Sequence, residues 1–192
     1  MTEPGSRDGL VVERVVAASW RTYRDVRLAS LIDSPRAFWM QYAEEAERTD
    51  DEWRTRCAGP DPTWLAHDDG RPVGTVGLWH APEQPADEVH LVGMWVATVA
   101  RGTDVATQLV VAALTHAAAS GRRRVDLDVA HENSRARAFY TRMGFRPTGR
   151  VDRMPWDPSV TEETLALDLP VGSRSSPHGL PWAAGVVGEW PP

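Results

Sequence analysis

Cysteine is nearly missing from this chain: Cys57 is the single one in 192 residues. An internal disulfide and a thiolate metal cluster are therefore excluded. No apolar run approaches the roughly 18 residues a membrane span requires. The polar start, MTEPGSRDG, has none of the apolar core of a secretory signal, so the expectation is a cytoplasmic protein without a membrane partner. The histidines at 67, 80, 90, 116, 131 and 178 show no HExxH or comparable ligand spacing, and no metal is expected. Positive charge is also in deficit. The net charge of -6 argues against a nucleic-acid partner.

What is present describes one well-cored α/β domain. Hydrophobic residues make up 42% of the chain and the mean hydropathy is -0.40, ordinary values for a soluble fold. Leu10 to Val16 reads as a strand. Trp20, Tyr23, Arg27 and Leu31 lie at helical spacing up to a stop at Asp33-Ser34-Pro35. Phe38, Tyr42 and Ala46 mark a second helix, Trp53 and Cys57 a third. Trp64–His67 and Pro72–Trp79 read as a hairpin turned by Asp68-Asp69-Gly70.

Val89–Ala97 is the next strand, with Leu91, Gly93 and Trp95 expected on one face and Val92, Met94 and Val96 on the other. A helix follows Arg101 and ends near Ser120, before Gly121. Val125, Leu127 and Val129 alternate with Asp126 and Asp128 in a further strand, and Thr164–Leu169 alternates as the last one. The domain is expected over 1–169. From residue 170 to 192, proline and glycine predict an irregular extension carrying Trp182 and Trp190, docked on the body or on a second subunit.

The densest information lies in Asn133–Phe145, NSRARAFYTRMGF. Asn133 and Ser134 suit a helix start. Arg135–Arg142 suits the helix, with Ala138 and Phe139 inward, and Gly144 suits a left-handed stop before a strand opened by Phe145. The asparagine, the alanine-rich turn, the tyrosine and the Gly-Phe pair, with the upstream Arg101 segment, resemble the GNAT superfamily of acyl-coenzyme A-dependent N-acyltransferases. The resemblance covers about Val89 to Gly149.

That resemblance implies a mixed, mostly antiparallel sheet flanked by helices and splayed between Val89–Ala97 and Val125–Ala130. It implies a bulge in the first of these strands. Backbone groups near Trp95, Val96 and Thr98 would hold the pantetheine arm of acetyl-CoA or another acyl thioester. The pyrophosphate would lie on the segment Arg101, Gly102, Thr103, Asp104, Val105, Ala106. Arg101 and Ala106 match the family pattern; Asp104 stands where glycine is expected. Its carboxylate would either face the anion or turn away as a helix cap.

The aspartate leaves a second donor open, the phosphopantetheine of an acyl carrier protein. The arginines at 122, 123, 124, 135 and 137 read either as a solvated face or as a rim for phosphates or such an acidic partner. By resemblance Asn133, Arg135 and Arg137 border the cofactor, and Tyr140 is the general acid for the leaving thiolate. His90 and Glu88, two apart at the strand start, are the candidates for the base, beside a water relay. The expected reaction is direct transfer of a short acyl group to a small-molecule amine. A regulatory acyl-thioester-binding module and a dimerising scaffold are the alternatives from other classes.

Overall fold

The computed structural model describes residues 9–170; the extension foreseen from 170 onward lies almost wholly outside the described residues. The chain runs β1 (Leu10–Arg14), α1 (Trp20–Asp33), α2 (Tyr42–Ala46), α3 (Asp50–Ala58), β2 (Thr63–Asp68), β3 (Arg71–Trp79) and β4 (Glu88–Val96). It continues through α4 (Val105–Ala119), β5 (Arg124–Ala130), α5 (Ser134–Arg142), β6 (Arg146–Met154) and β7 (Asp157–Asp168). The seven strands form one sheet in the order β1-β2-β3-β4-β5-β7-β6. Every neighbouring pair is antiparallel except β4 with β5.

The expected splay is present. β4 and β5 are paired only at Glu88–Arg124, Val89–Val125 and His90–Asp126. Beyond His90 the two strands part, although β5 stays paired with β7 up to Ala130–Glu162. β4 also carries the expected bulge. Thr75 pairs with Trp95 and Gly77 with Val92, so three steps on β4 oppose two on β3. Gly93, at φ +64°, supplies the left-handed residue the bulge needs.

The bulge corrects the simple alternation expected for β4. An extra residue flips every side chain after it to the other face. Leu91 therefore shares the α4 side with Met94 and Val96, while Trp95 turns to the opposite side and packs with Trp20, Tyr23 and Trp53. Two cores result. The larger lies under α4 and α5 and includes Val89, Leu91, Val105, Leu109, Leu127, Tyr140 and Phe145. The smaller lies under α1 and α3.

Two boundaries and one helix face also differ from expectation. Phe38 is extended, at φ -132°, and α2 begins only at Tyr42. Pro35 opens a single 3₁₀ turn, and the chain then leaves helical geometry to dock its indole-bearing segment on the sheet. In α5 the inward residues are Ala136, Phe139, Tyr140 and Met143, the i, i+3, i+4, i+7 set, and Ala138 is exposed. β7 starts at Asp157, seven residues before the expected Thr164, because it forms a long hairpin with β6 across Pro155-Trp156. The exposed residues of that hairpin hide its alternation.

Candidate active site at the split sheet

The split has two faces. On one, α4 and α5 cover the strands. The loop from β4 to α4 turns at Gly102, φ +87°, where no atom would meet an added Cβ. Among the described residues the N–H groups of Gly102, Thr103, Asp104, Ala106 and Thr107 find no acceptor. They form an opening for an anion at the start of a 15-residue helix. Val105 is buried in the core and anchors the first turn, beside the half-buried Ala106.

Asp104 occupies the cap position, but its side chain makes no capping bond. The hydroxyl of Thr103 is the nearer cap, 3.4 Å from the Val105 N–H, while donating to the Ala100 carbonyl at 2.7 Å. Asp104 therefore does not do the work of a helix cap, and among the described residues its carboxylate has no partner.

Arg101 is committed within the protein. Its Nε donates to the Val96 carbonyl at 3.0 Å, and its Nη2 pairs with Asp33. Asp33, the last residue of α1, also accepts from Trp95 Nε1 at 2.9 Å and Thr98 Oγ1 at 3.1 Å. The bond from Trp95 is the largest influence holding its carboxyl down, at about 2.

Across the split, at the same end of the parallel strands, Asn133 accepts the Ala136 N–H at 3.1 Å and starts α5 as expected. Tyr140 is 6% exposed between Phe139 and Phe145. Burial pushes its phenol well above the ordinary range, so it stays protonated and able to donate.

The arginines do not form one rim. Arg122–Arg124 stand at the start of β5, whereas Arg135 and Arg137 follow its far end, about 20 Å away by strand length. Arg122 binds the Glu88 carbonyl, Arg124 pairs with Asp126 at 2.7 Å, and Arg137 pairs with Glu163 at 2.9 Å. Arg123 and Arg135 are exposed, without a side-chain partner among the described residues.

The opposite face belongs to α1 and the segment 34–41. Glu88 lies at the closed, paired end of the split; His90 lies at its mouth, in the last paired position. The Nε2 of His90 is 3.8 Å from Asp128 Oδ2, and its Nδ1 is buried without a partner. Thr164 donates to Asp128 Oδ1 at 2.6 Å and fixes that carboxylate. Three long-range contacts strap segment 34–41 over the ends of β5 and β7. Arg36 forks onto Glu132 at 2.8 and 3.1 Å, Trp39 Nε1 donates to Glu162 at 2.7 Å, and Trp156 Nε1 donates to the Phe38 carbonyl at 2.8 Å.

Asp33, Asp128, Trp39 and Glu162 were not among the sequence candidates. The Asp126/Asp128 alternation was the one local sign of polar groups on this face. Among the described residues no group of three or more His, Cys, Asp or Glu is placed to hold a metal ion. No described helix is long and apolar enough to cross a membrane.

A split sheet, a bulged strand and an open anion loop are here joined to the capped tyrosine helix. Residues 27–145 match the model of the acetyltransferase (GNAT) family. The chain belongs to that family. Acetyl transfer is the reaction for which the family is named. A mycothiol acetyltransferase of Beutenbergia cavernae is 37% identical over 89 residues, 46% of this chain and 29% of that relative. The chain thus matches less than a third of that protein's length.

Solved GNAT folds superpose over most of the domain. A GCN5-related N-acetyltransferase from Kribbella flavida is 23% identical at TM-score 0.69, over 85% of this chain and 100% of its own. The yncA protein of Salmonella typhimurium, solved with its cofactor acetyl-CoA, is 12% identical at TM-score 0.69, over 87% and 98%. At these identities the likeness speaks to the fold.

Proposed function

We propose that this GNAT enzyme transfers an acetyl group from acetyl-CoA to a primary amine of a small molecule, by direct attack of the amine on the thioester. The observation that carries the reading is the split beyond His90, continuous with the loop where the N–H groups of Gly102, Thr103, Asp104, Ala106 and Thr107 lack acceptors among the described residues. An extended pantetheine amide chain suits the open edges of β4 and β5, and a pyrophosphate suits the loop. The acetyl-CoA of the Salmonella neighbour and the acetyl transfer named for the Beutenbergia relative support the choice of donor.

In this reading the free N–H groups of Gly102, Thr103, Asp104, Ala106 and Thr107 hold the pyrophosphate and the edge near Val96 orients the arm. Tyr140 donates a proton to the departing thiolate. A covalent route through Cys57 is disfavoured: burial pushes its thiol up, away from the thiolate such a route needs. A carrier-protein donor is the second reading. It is favoured by the unpartnered Asp104 at the anion loop and by the exposed, unpaired Arg135.

A panel of amines assayed for thiol release with acetyl-CoA, and in parallel with acetyl-pantetheine, tests both. All 21 basic residues are arginine, so no lysine of the enzyme contributes acetylated background. Fast turnover of acetyl-CoA removes the carrier-protein reading. Turnover of acetyl-pantetheine alone removes acetyl-CoA.

A further inference from the structure

The face of the split under the strap carries a carboxyl group that no sequence motif reaches. Glu162 sits in β7 opposite Ala130 and shares its face with Thr164 and Asp128. It is 2% exposed, yet no cation pairs with it. Trp39 occupies Oε1 through its indole N–H, and Oε2 has no partner among the described residues.

The charged groups around it are Asp128 from β5 and Asp152 with Arg150 from β6. Arg150 is bound to Asp152 at 2.7 Å. The strap brings no charge to this point, since Arg36 is turned to Glu132. A carboxyl buried beside two other carboxylates is costly to keep ionised and has no structural ion pair to justify it.

We propose that Glu162 is the proton acceptor of the acetyl transfer, taking a proton from the ammonium group of the acceptor so that the free amine can attack. This rests on the acetyl-transfer reading above. Two protons leave the nitrogen, one before the attack and one as the N–C bond forms and the C–S bond breaks. One passes to Glu162 and then to solvent; the other replaces the proton that Tyr140 gives to the thiolate.

Burial is the main cause that lifts the Glu162 carboxyl to about 7, with Asp128 and Asp152 adding to it and Trp39 and Arg150 opposing. A base poised there is about half ionised at neutral pH and suited to take a proton from an ammonium group. The same carboxylates favour an acceptor that arrives as a cation.

The test is the pH dependence of kcat/KM with an amine found in the panel. Wild-type enzyme should lose rate as pH falls through about 7. Glu162→Gln should lower the rate about 100-fold and abolish that limb, while its melting temperature and acetyl-CoA affinity stay near wild type. Trp39→Phe removes the hydrogen bond that holds the carboxyl down and should move the limb to higher pH. His90→Gln should keep the limb.

A Glu162→Gln enzyme that retains both rate and limb overturns the assignment, as does a limb lost with His90→Gln. A limb that Trp39→Phe leaves in place also counts against it. Wild-type protein that acetylates no amine overturns the acetyl-transfer reading and the assignment together, whereas an active Glu162→Gln overturns the assignment alone.

Discussion

Asp33 holds Arg101 back from the anion loop. The carboxylate ends α1 and pairs with a guanidinium whose Nε is bound to the Val96 carbonyl. Helix α1, the bulged end of β4 and the approach to α4 are thereby tied at one point, because Trp95 and Thr98 donate to the same carboxylate.

Asp33→Asn should loosen that point. Its carboxyl is held at about 2, below the usual value of about 3.9, so its contribution is present above pH 4 and fades as pH falls toward 2. With its side chain 29% exposed, the loss at neutral pH should be about 1 kcal/mol. Urea melts of wild type and variant at pH 7 and pH 3 check this: the gap should narrow at the lower pH. The KM for acetyl-CoA should rise several-fold.

Tyr140→Phe should reduce kcat by on the order of 10²-fold with little change in stability. The ring keeps its packing against Phe139 and Phe145, and only the hydroxyl is lost. Thiol-release kinetics measure it, and an unchanged kcat would leave the phenol a packing role.

Asp104→Asn should tighten acetyl-CoA binding several-fold, about 1 kcal/mol, by removing a carboxylate that caps nothing from the anion loop. Titration calorimetry at low and high salt checks it. The gain should shrink as salt screens the charge. Equal affinities at low salt would mean that the carboxylate lies clear of the pyrophosphate.

Glu45→Gln should be strongly destabilising. Glu45 is fully buried among Arg27, Arg48 and Arg56, at 3.8, 3.2 and 3.0 Å. Arg27 is itself buried, with two guanidinium nitrogens lacking partners. Neutralising the one anion leaves uncompensated buried charge, and a loss of about 3–5 kcal/mol is expected in urea unfolding.

The legible parts of the sequence were those whose causes are local. Asn133 capping a helix by accepting the N–H three residues on, and Gly121 ending α4, are read from neighbours along the chain. So was the split, because family resemblance fixed which strands part. The Asp33 and Glu162 contacts could not be read this way. Trp39 and Glu162 are 123 residues apart, Asp33 and Arg101 are 68 apart, and each looks like an ordinary surface residue in its own segment. The face reversal in β4 was hidden for a related reason: Gly93 signals a bulge only once the pairing partners on β3 are known.

The split leaves two strand edges facing each other inside a sheet, with a three-residue ladder at one end and no pairing between them beyond it among the described residues. Such a sheet is short of a strand, and in the proposed function the donor's amide chain takes that place. A donor that completes the ladder acts as a folding ligand as well as a reactant. At 100 times its dissociation constant it should add about 2.7 kcal/mol to the stability of the domain. The enzyme's resistance to heat and proteolysis would then follow the supply of its own substrate.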